Sequence, residues 1–425
     1  MKYSIVTFGC RVNQADSLRL EEELRARGGA ESPWSAADVV IVNTCSVTAT
    51  ADQGARQAIR RVARENPAAR IVVTGCYATR CAGDVEVLPG VIRVVPNDQK
   101  LDIVGLLADA GELTTSARFA GGGGPCGAAI EPGVAGRTAF TMRVQTGCEE
   151  RCSYCIIPTT RGSSRSIPID EVVREVVRVA ASGFKEIALT GVHLGSYGRD
   201  LRPERSLTAL LRALCDVPHD VTFRVSSLEP MDCTPAIVDL VASSGGRVAP
   251  HFHLPLQHAS DGMLGQMRRP YTLDDFRRLV DSIAGRLPHA SIGTDLIAGF
   301  PGERDADFAA NEAYLPSAPL SHLHVFPYSD RPGTEATGLP GKVAGPVIRE
   351  RGARLRQIGA TLAARFHEAQ VGTIRPGLTL QDGTLVVTDN YLKVRIPAGL
   401  PRNERVRVRV TDTASGVVVV AGTSG

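Results

Sequence analysis

No stretch of this 425-residue chain reaches the roughly 18 consecutive apolar residues that a membrane span requires. The opening Met-Lys-Tyr-Ser-Ile-Val-Thr-Phe-Gly-Cys lacks the long apolar core of a secretion signal and reads as a strand running into a cysteine. The expectation is a cytoplasmic protein with no membrane partner. Charge of one sign is also scarce: 48 Lys and Arg stand against 45 Asp and Glu, a net charge of +3. So small an excess is compatible with nucleic acid but is no evidence for it. No repeat of solenoid length is present, and the histidines form no motif of their own. Disulfides are rare in a reducing compartment, so the ten cysteines read as metal ligands, catalytic thiols or buried small hydrophobes. With 43% hydrophobic and 22% charged residues, the chain has the means to bury a sizeable core, in two to four domains.

What is present is organised in three textures. Apolar β-branched runs at residues 4–8, 39–42, 71–74 and 91–95 alternate with helical segments near 16–27 and 51–65, which implies an open parallel α/β sheet. Residues 119–136 are rich in Gly, Ala and Pro, keep no hydrophobic period and read as a linker. Cys126, inside it, would be poorly held as a ligand. Strand candidates at 140–145, 187–190, 222–226, 251–254, 292–297 and 323–326, with helices between them, then repeat the strand–helix rhythm six times. That pattern points to a partial (β/α)6 barrel, with chemistry at the carboxyl ends of its strands; a doubly wound open sheet is the alternative. A Pro/Gly-rich stretch and a helix near 347–370 follow. Short alternating strands at 379–380, 384–388, 392–395, 406–410 and 417–421 form a small all-β barrel. The expected fold class is α/β, with domains at 1–118, 137–366 and 369–425.

The middle domain opens with Cys148-Glu149-Glu150-Arg151-Cys152-Ser153-Tyr154-Cys155, a C-x3-C-x2-C spacing directly after a strand. Three thiolates in eight residues can wrap one face of a cubane [4Fe–4S] cluster, and no fourth cysteine follows nearby to close the last iron. An open iron can chelate the amino and carboxylate groups of S-adenosylmethionine. One electron then breaks the sulfonium bond and releases a 5′-deoxyadenosyl radical. The bland alternative is a zinc knuckle or a set of buried thiols, but zinc more often takes C-x2-C pairs. Further cofactor contacts are expected at strand ends: Thr190 and Gly191 at one, Ser227 and Glu229 at another. Glu229 is placed to accept from ribose hydroxyls, or else is a surface or capping carboxylate. Gly299-Phe300-Pro301-Gly302 either shapes an adenine pocket or, more simply, makes a tight turn.

A second triad is dispersed. Cys10, Cys45 and Cys76 each lie one to three residues beyond a strand of the N-terminal sheet. Ligands bind at that edge of open α/β sheets. Convergence there would make a second three-cysteine site; the alternative is three unrelated buried cysteines. Cys81, Cys215 and Cys233 are expected to pack. His251 and His253 share one face of a strand, toward the barrel lumen or a satisfied core. In the tail Arg405, Arg407 and Arg409 recur at period two beside Arg402, a line suited to phosphates, with Tyr391 the clearest stacking candidate. Arg161 and Arg165 are candidates to hold RNA or a substrate carboxylate.

The C-x3-C-x2-C motif resembles that of the radical S-adenosylmethionine enzymes, where the aromatic residue before the third cysteine lies near the adenine; that implies this role for Tyr154. The two triads with the β tail resemble, over nearly the whole chain, the methylthiotransferases. The likeness extends to Asn43-Thr44-Cys45-Ser46-Val47-Thr48, to the 189–198 segment and to Thr294-Asp295-Leu296-Ile297-Ala298-Gly299-Phe300-Pro301-Gly302-Glu303. The resemblance implies that Cys10, Cys45 and Cys76 hold an auxiliary [4Fe–4S] cluster carrying the sulfur to be transferred, and that the tail is an RNA-binding TRAM domain. Residues 8–17, 191–198, Ser226-Ser227-Leu228-Glu229-Pro230 and 324–334 are most similar to the branch acting on N6-threonylcarbamoyladenosine at position 37 of tRNA. Branches acting on isopentenyladenosine in tRNA or on a ribosomal-protein aspartate are the alternatives. A non-catalytic iron–sulfur or zinc RNA-binding module is the alternative of a different class. Gln257-His258-Ala259-Ser260 departs from the Gln-Ser-Gly-Ser expected of the family. The expected partners are tRNA and a flavodoxin- or ferredoxin-like electron donor, with the chain a monomer.

Overall fold

The computed structural model describes residues 1–109, Pro132 and residues 138–419. Apart from Pro132, the expected linker at 119–136, with Cys126, lies outside the described residues.

The N-terminal unit is a parallel sheet of β1 (Lys2–Thr7), β2 (Ala30–Glu31), β3 (Val39–Thr44), β4 (Arg70–Gly75) and β5 (Val91–Val95), in the order β2-β1-β3-β4-β5. β3 is buried at every position. A near-continuous Val/Ile run is what a strand covered on both faces needs. Its alternate residues feed two cores. Val39 and Ile41 pack with Leu20 and Leu24 of the helix Arg11–Ala26, while Val40 and Val42 pack with Ala55 and Ile59 of the helix Ala49–Glu65. The two-residue edge strand β2 has no counterpart in the sequence expectation, since two residues carry no period.

The middle unit holds six parallel strands: β6 (Phe140–Arg143), then, past the short antiparallel pair β7 (Gln145–Thr146) and β8 (Arg165–Ser166), β9 (Glu186–Thr190), β10 (Thr222–Val225), β11 (His251–His253), β12 (Ser291–Ala298) and β13 (His322–Pro327). They form two three-stranded sheets, β10-β9-β6 and β11-β12-β13, joined by the parallel bridge Phe223–Val248. The result is a partial barrel, in agreement with the six expected strand–helix units. The helix Gly345–Gln370 lies on β13, where Gly359 comes so close to Leu323 that an added Cβ would meet its Cβ at 3.2 Å.

The tail is an antiparallel sheet of β14 (Ile374–Leu380), β15 (Leu385–Thr388), β16 (Lys393–Arg395), β17 (Arg405–Val410) and β18 (Gly416–Val418), in the order β16-β15-β14-β17-β18. An Arg395–Ser415 bridge curls one edge back toward the other, as a small TRAM-like all-β domain requires. The first half of β14 contains Pro376-Gly377, which weakens a strand signal, and so only its end was expected.

Buried charge ties the three units together. Asp16 accepts from Lys100 at 3.0 Å and Arg161 at 3.4 Å and also pairs with Arg143, joining the first unit to the second. Arg331 of the second unit reaches Asp52 of the first at 2.9 Å. Arg224, 1% exposed, pairs with Glu186 and donates to the Asp389 carbonyl of the tail at 2.9 Å. No helix among the described residues is long and apolar enough to cross a membrane.

Candidate functional site

The ends of β1, β3 and β4 bring Cys10, Cys45 and Cys76 to one edge of the sheet. Cys10 precedes the helix Arg11–Ala26, and Cys76 opens the helix Cys76–Arg80. Gly9, at φ +89°, lies against Cys45 so closely that a Cβ there would sit 2.5 Å from the Cys45 Sγ. Only a residue with no side chain leaves that sulfur its space. Burial pushes the Cys45 thiol up to about 11, and the neighbouring Cys10 and Cys76 add to the effect. Three thiols so placed cannot all ionise unless cationic charge joins them. Some is at hand: Arg161 and Lys100 stand near Cys76, whose Sγ also accepts from Asn97 Nδ2 at 3.5 Å.

Cys148, Cys152 and Cys155 occupy the loop after β7. Gly147, at φ +77°, crosses the backbone of Ser163 where a Cβ would lie 1.9 Å from the carbonyl oxygen. Burial is the main cause that raises Cys148 to about 11 and Cys155 to about 12. The Cys148 Sγ lies 3.8 Å from His193 Nδ1, and Asp232 holds the other ring nitrogen at 2.7 Å. Arg269 donates to the Cys152 Sγ at 3.1 Å, pairs with Glu229 and lies over the Tyr271 ring. Tyr154 packs edge-on against Phe300, their centroids 6.4 Å apart. Gly299 and Gly302 both take positive φ, so that segment is a tight turn seating Phe300 in the core.

Beside Cys10 and Cys45, between the N-terminal sheet edge and the barrel, opens a cavity of about 870 Å³. Cys10, Arg11 and Cys45 line one side; Thr190, Gly191, Ser226 and Ser227 line the barrel side, with His251, His253, Asp295, His322 and His324; Tyr391 enters from the tail. Two polar atoms at this wall, Ser226 Oγ and His251 Nδ1, are buried without a hydrogen-bond partner. Unmet groups of that kind mark a site shaped for a polar ligand.

Several candidates take other places than expected. Glu229 is turned to Arg269 beside Cys152 and is not in the cavity wall. Arg161 is spent on Asn13 at 2.5 Å and on Asp16, so no substrate carboxylate competes for it. Arg405 docks the tail, bonding Asp220 at 2.9 Å and the Lys185 carbonyl at 2.9 Å; Arg407 and Arg409 stay exposed on the shared face. Tyr391 lies against His251, their rings tilted by 43° with centroids 4.7 Å apart. His258, fully buried, accepts from the Ser260 N–H at 2.9 Å and meets Glu303 and Asn311, which accommodates the unusual loop. Cys81, Cys215 and Cys233 pack on the cores. Sequence reasoning missed Arg269 and half of the four-histidine wall: Arg269 stands more than a hundred residues from Cys152, and His322 and His324 join His251 and His253 from a second strand, β13.

Two family models match the chain: one described as the uncharacterized protein family UPF0004 over residues 2–95, and the radical SAM superfamily over residues 142–312. The threonylcarbamoyladenosine tRNA methylthiotransferase MtaB of Aquifex aeolicus is 34% identical, covering 93% of this chain and 96% of its own length. Its Bacillus subtilis namesake is 32% identical with 96% of each chain covered. A tRNA-2-methylthio-N(6)-dimethylallyladenosine synthase of Acidothermus cellulolyticus is 30% identical, over 98% of this chain and 84% of its own. Among solved structures, the radical S-adenosylmethionine methyltransferase TsrM of Kitasatospora setae, with cobalamin and a [4Fe–4S] cluster bound, superposes with a TM-score of 0.55 at 15% identity over 79% of this chain and 76% of its own. At that identity the likeness is one of fold alone.

Proposed function

This chain belongs to the radical S-adenosylmethionine methylthiotransferases, and from that premise we propose that it adds a methylthio group to C2 of N6-threonylcarbamoyladenosine at position 37 of tRNA. The observation that carries the proposal is the cavity with Cys10 and Cys45 on one wall and the barrel strand-end residues Thr190, Gly191 and Ser227 on another. Cys148, Cys152 and Cys155 would hold one [4Fe–4S] cluster, and Cys10, Cys45 and Cys76 the other. The donor sets suit such clusters: each offers three thiols, and the other described cysteines pack in cores. When bound, the clusters and S-adenosylmethionine supply a radical able to open an unactivated C–H bond, the sulfur, and the methyl group.

The protein's own part is placement and charge. Arg269 donates to Cys152, while Arg161 and Lys100 stand beside Cys76, so cations offset thiolate charge at both triads. Tyr154 and Phe300 close an apolar side behind the Cys152 loop and keep water from it. Thr190, Gly191 and Ser227, at barrel strand ends, hold S-adenosylmethionine, with Glu229 orienting Arg269. On this reading residues 1–118 carry the sulfur side, 137–366 the radical side and 369–425 the RNA grip. The chain acts as a monomer on this reading; a flavodoxin- or ferredoxin-like donor supplies electrons, and the cytoplasm, where tRNA is modified, is its compartment.

Nucleoside analysis of tRNA from cells with and without the gene is the test. Loss of 2-methylthio-N6-threonylcarbamoyladenosine is expected, and an unchanged level would sink the proposal. Isopentenyladenosine is the second reading, favoured by the relative from Acidothermus cellulolyticus, and the same measurement separates the two.

A further inference from the structure

Three charged side chains other than histidine line the cavity: Arg11, Arg161 and Asp295. Asp295 is claimed by His253 at 2.9 Å and by His324 at 3.3 Å. Arg161 is claimed by Asp16 and Asn13. Arg11 differs. Half-buried, it has a single side-chain partner among the described residues, the Tyr391 hydroxyl, which accepts from its Nη2 at 3.3 Å. No carboxylate among the described residues pairs with it.

The surroundings of Arg11 ask for an anion. Beyond Tyr391 stands His251, 5% exposed, its Nδ1 buried without a hydrogen-bond partner among the described residues. Next come the His322 ring and, beneath Tyr391, the Arg224 guanidinium, 5.0 Å from the ring centroid. Burial, then Arg224, His322 and Arg11, hold the His251 pKa far below its ordinary value. The wall is therefore a neutral imidazole flanked by cationic charge. An apolar substituent placed there would strand Arg11, His251 and Ser226 Oγ unsatisfied.

We propose that Arg11, steadied by Tyr391 and flanked by His251, is the subsite that receives the carboxylate of the nucleoside's N6 substituent, and so distinguishes an acidic N6 group from an apolar one. The inference rests on the reading of the chain as a threonylcarbamoyladenosine methylthiotransferase and names what selects that substrate. Arg11 comes from the unit that bears Cys10, its chain neighbour. Holding the substituent there would place the adenine in the cavity lined by Cys10 and Cys45. Tyr391 carries the tail domain into the same contact, so a tail engaged with RNA and a filled subsite favour each other.

The test uses synthetic anticodon stem-loops bearing N6-threonylcarbamoyladenosine, its neutral methyl ester, isopentenyladenosine or plain adenosine at position 37. Their Kd values are measured by fluorescence anisotropy with anaerobically reconstituted enzyme. The wild type is expected to bind the acid roughly 10- to 100-fold more tightly than the ester, the range a charged hydrogen bond supports. Arg11→Met should erase that ratio at unchanged iron content and leave ester binding in place; Arg11→Lys should keep most of it. Tyr391→Phe, remote in sequence from Cys10, should lower the ratio by a few-fold. An equal loss for all four RNAs in Arg11→Met would make Arg11 a docking residue only and overturn the inference. So would a wild type indifferent to esterification, the result expected if Arg11 served a backbone phosphate. Either result leaves the proposed function standing so long as the acid still outbinds isopentenyladenosine. Preference for the isopentenyl stem-loop would overturn both.

Discussion

Asp16→Asn should cost the protein about 3–5 kcal/mol, although the residue lies outside the lining of the site cavity. Its carboxylate is 1% exposed and faces Lys100, Arg143 and Arg161, of which Lys100 and Arg161 are 1% and 3% exposed. Burial alone would raise the Asp16 pKa; the three cations overcome that and bring it from 3.8 to about 2. A depression of that size is worth about 2 kcal/mol at neutral pH. The group is held below its unfolded value, so this stability is fully present above pH 4 or so and is lost as pH falls toward 2. Lys100 runs the other way, since burial lowers its pKa in spite of Asp16, and the network's net worth is less than the Asp16 side alone. Deletion is harsher than protonation at low pH because it leaves buried cations uncompensated at neutral pH, and breaking such a pair costs about 3–5 kcal/mol. Urea unfolding at pH 7, followed by far-ultraviolet circular dichroism, measures the loss in the first transition. Adding Lys100→Met to the variant should recover part of it by removing one stranded charge. A loss below about 1 kcal/mol, or a double variant weaker than the single, would refute the reasoning.

Other predictions follow from the two triads and the tail. Cys10→Ala should lower reconstituted iron from about eight to about four per chain; methylthio transfer should stop while cleavage of S-adenosylmethionine continues, and loss of cleavage with the fold intact would overturn the division of roles. Arg269→Met removes the hydrogen bond to Cys152 and the partner of Glu229; it should keep iron but make the cluster harder to reduce, seen as a lower potential in redox titration followed by electron paramagnetic resonance. Arg407→Gln with Arg409→Gln should weaken tRNA binding at 100 mM salt by roughly 10-fold and flatten its salt dependence, whatever the base at position 37. An unchanged salt slope would show that this face of β17 is merely solvated.

The strands were legible because βα alternation writes itself as β-branched runs parted by helical periods, and β3 and β4 carry such runs. The dispersed cysteines were legible for the same reason, since a cysteine just past a strand end has its place set by the strand, whereas Cys148, Cys152 and Cys155 were legible from their spacing alone. What the sequence withheld was pairing. Arg161 and Arg405 looked like free cations until Asp16, 145 residues away, and Asp220, 185 residues away, took them up. A carboxylate partner leaves no local mark on an arginine, so exposure and availability could not be told apart. The same blindness hid Arg269, whose bond to Cys152 spans 117 residues.

The cavity is where these losses and gains meet, because each module brings a part that is idle alone. Arg11 lies on the helix that Cys10 caps, Ser226 and His251 lie at barrel strand ends, and Tyr391 follows β15 of the tail with φ at +69°. The modules are fixed by buried ion pairs, Asp16 with Arg161 and Asp52 with Arg331, and by Arg224 reaching the tail backbone. Breaking one of these contacts shifts a wall of the site without touching a reacting residue. A docking variant such as Arg331→Met should therefore uncouple radical formation from methylthio transfer, giving 5′-deoxyadenosine without modified nucleoside, whereas a variant confined to one triad should lose that triad's own step.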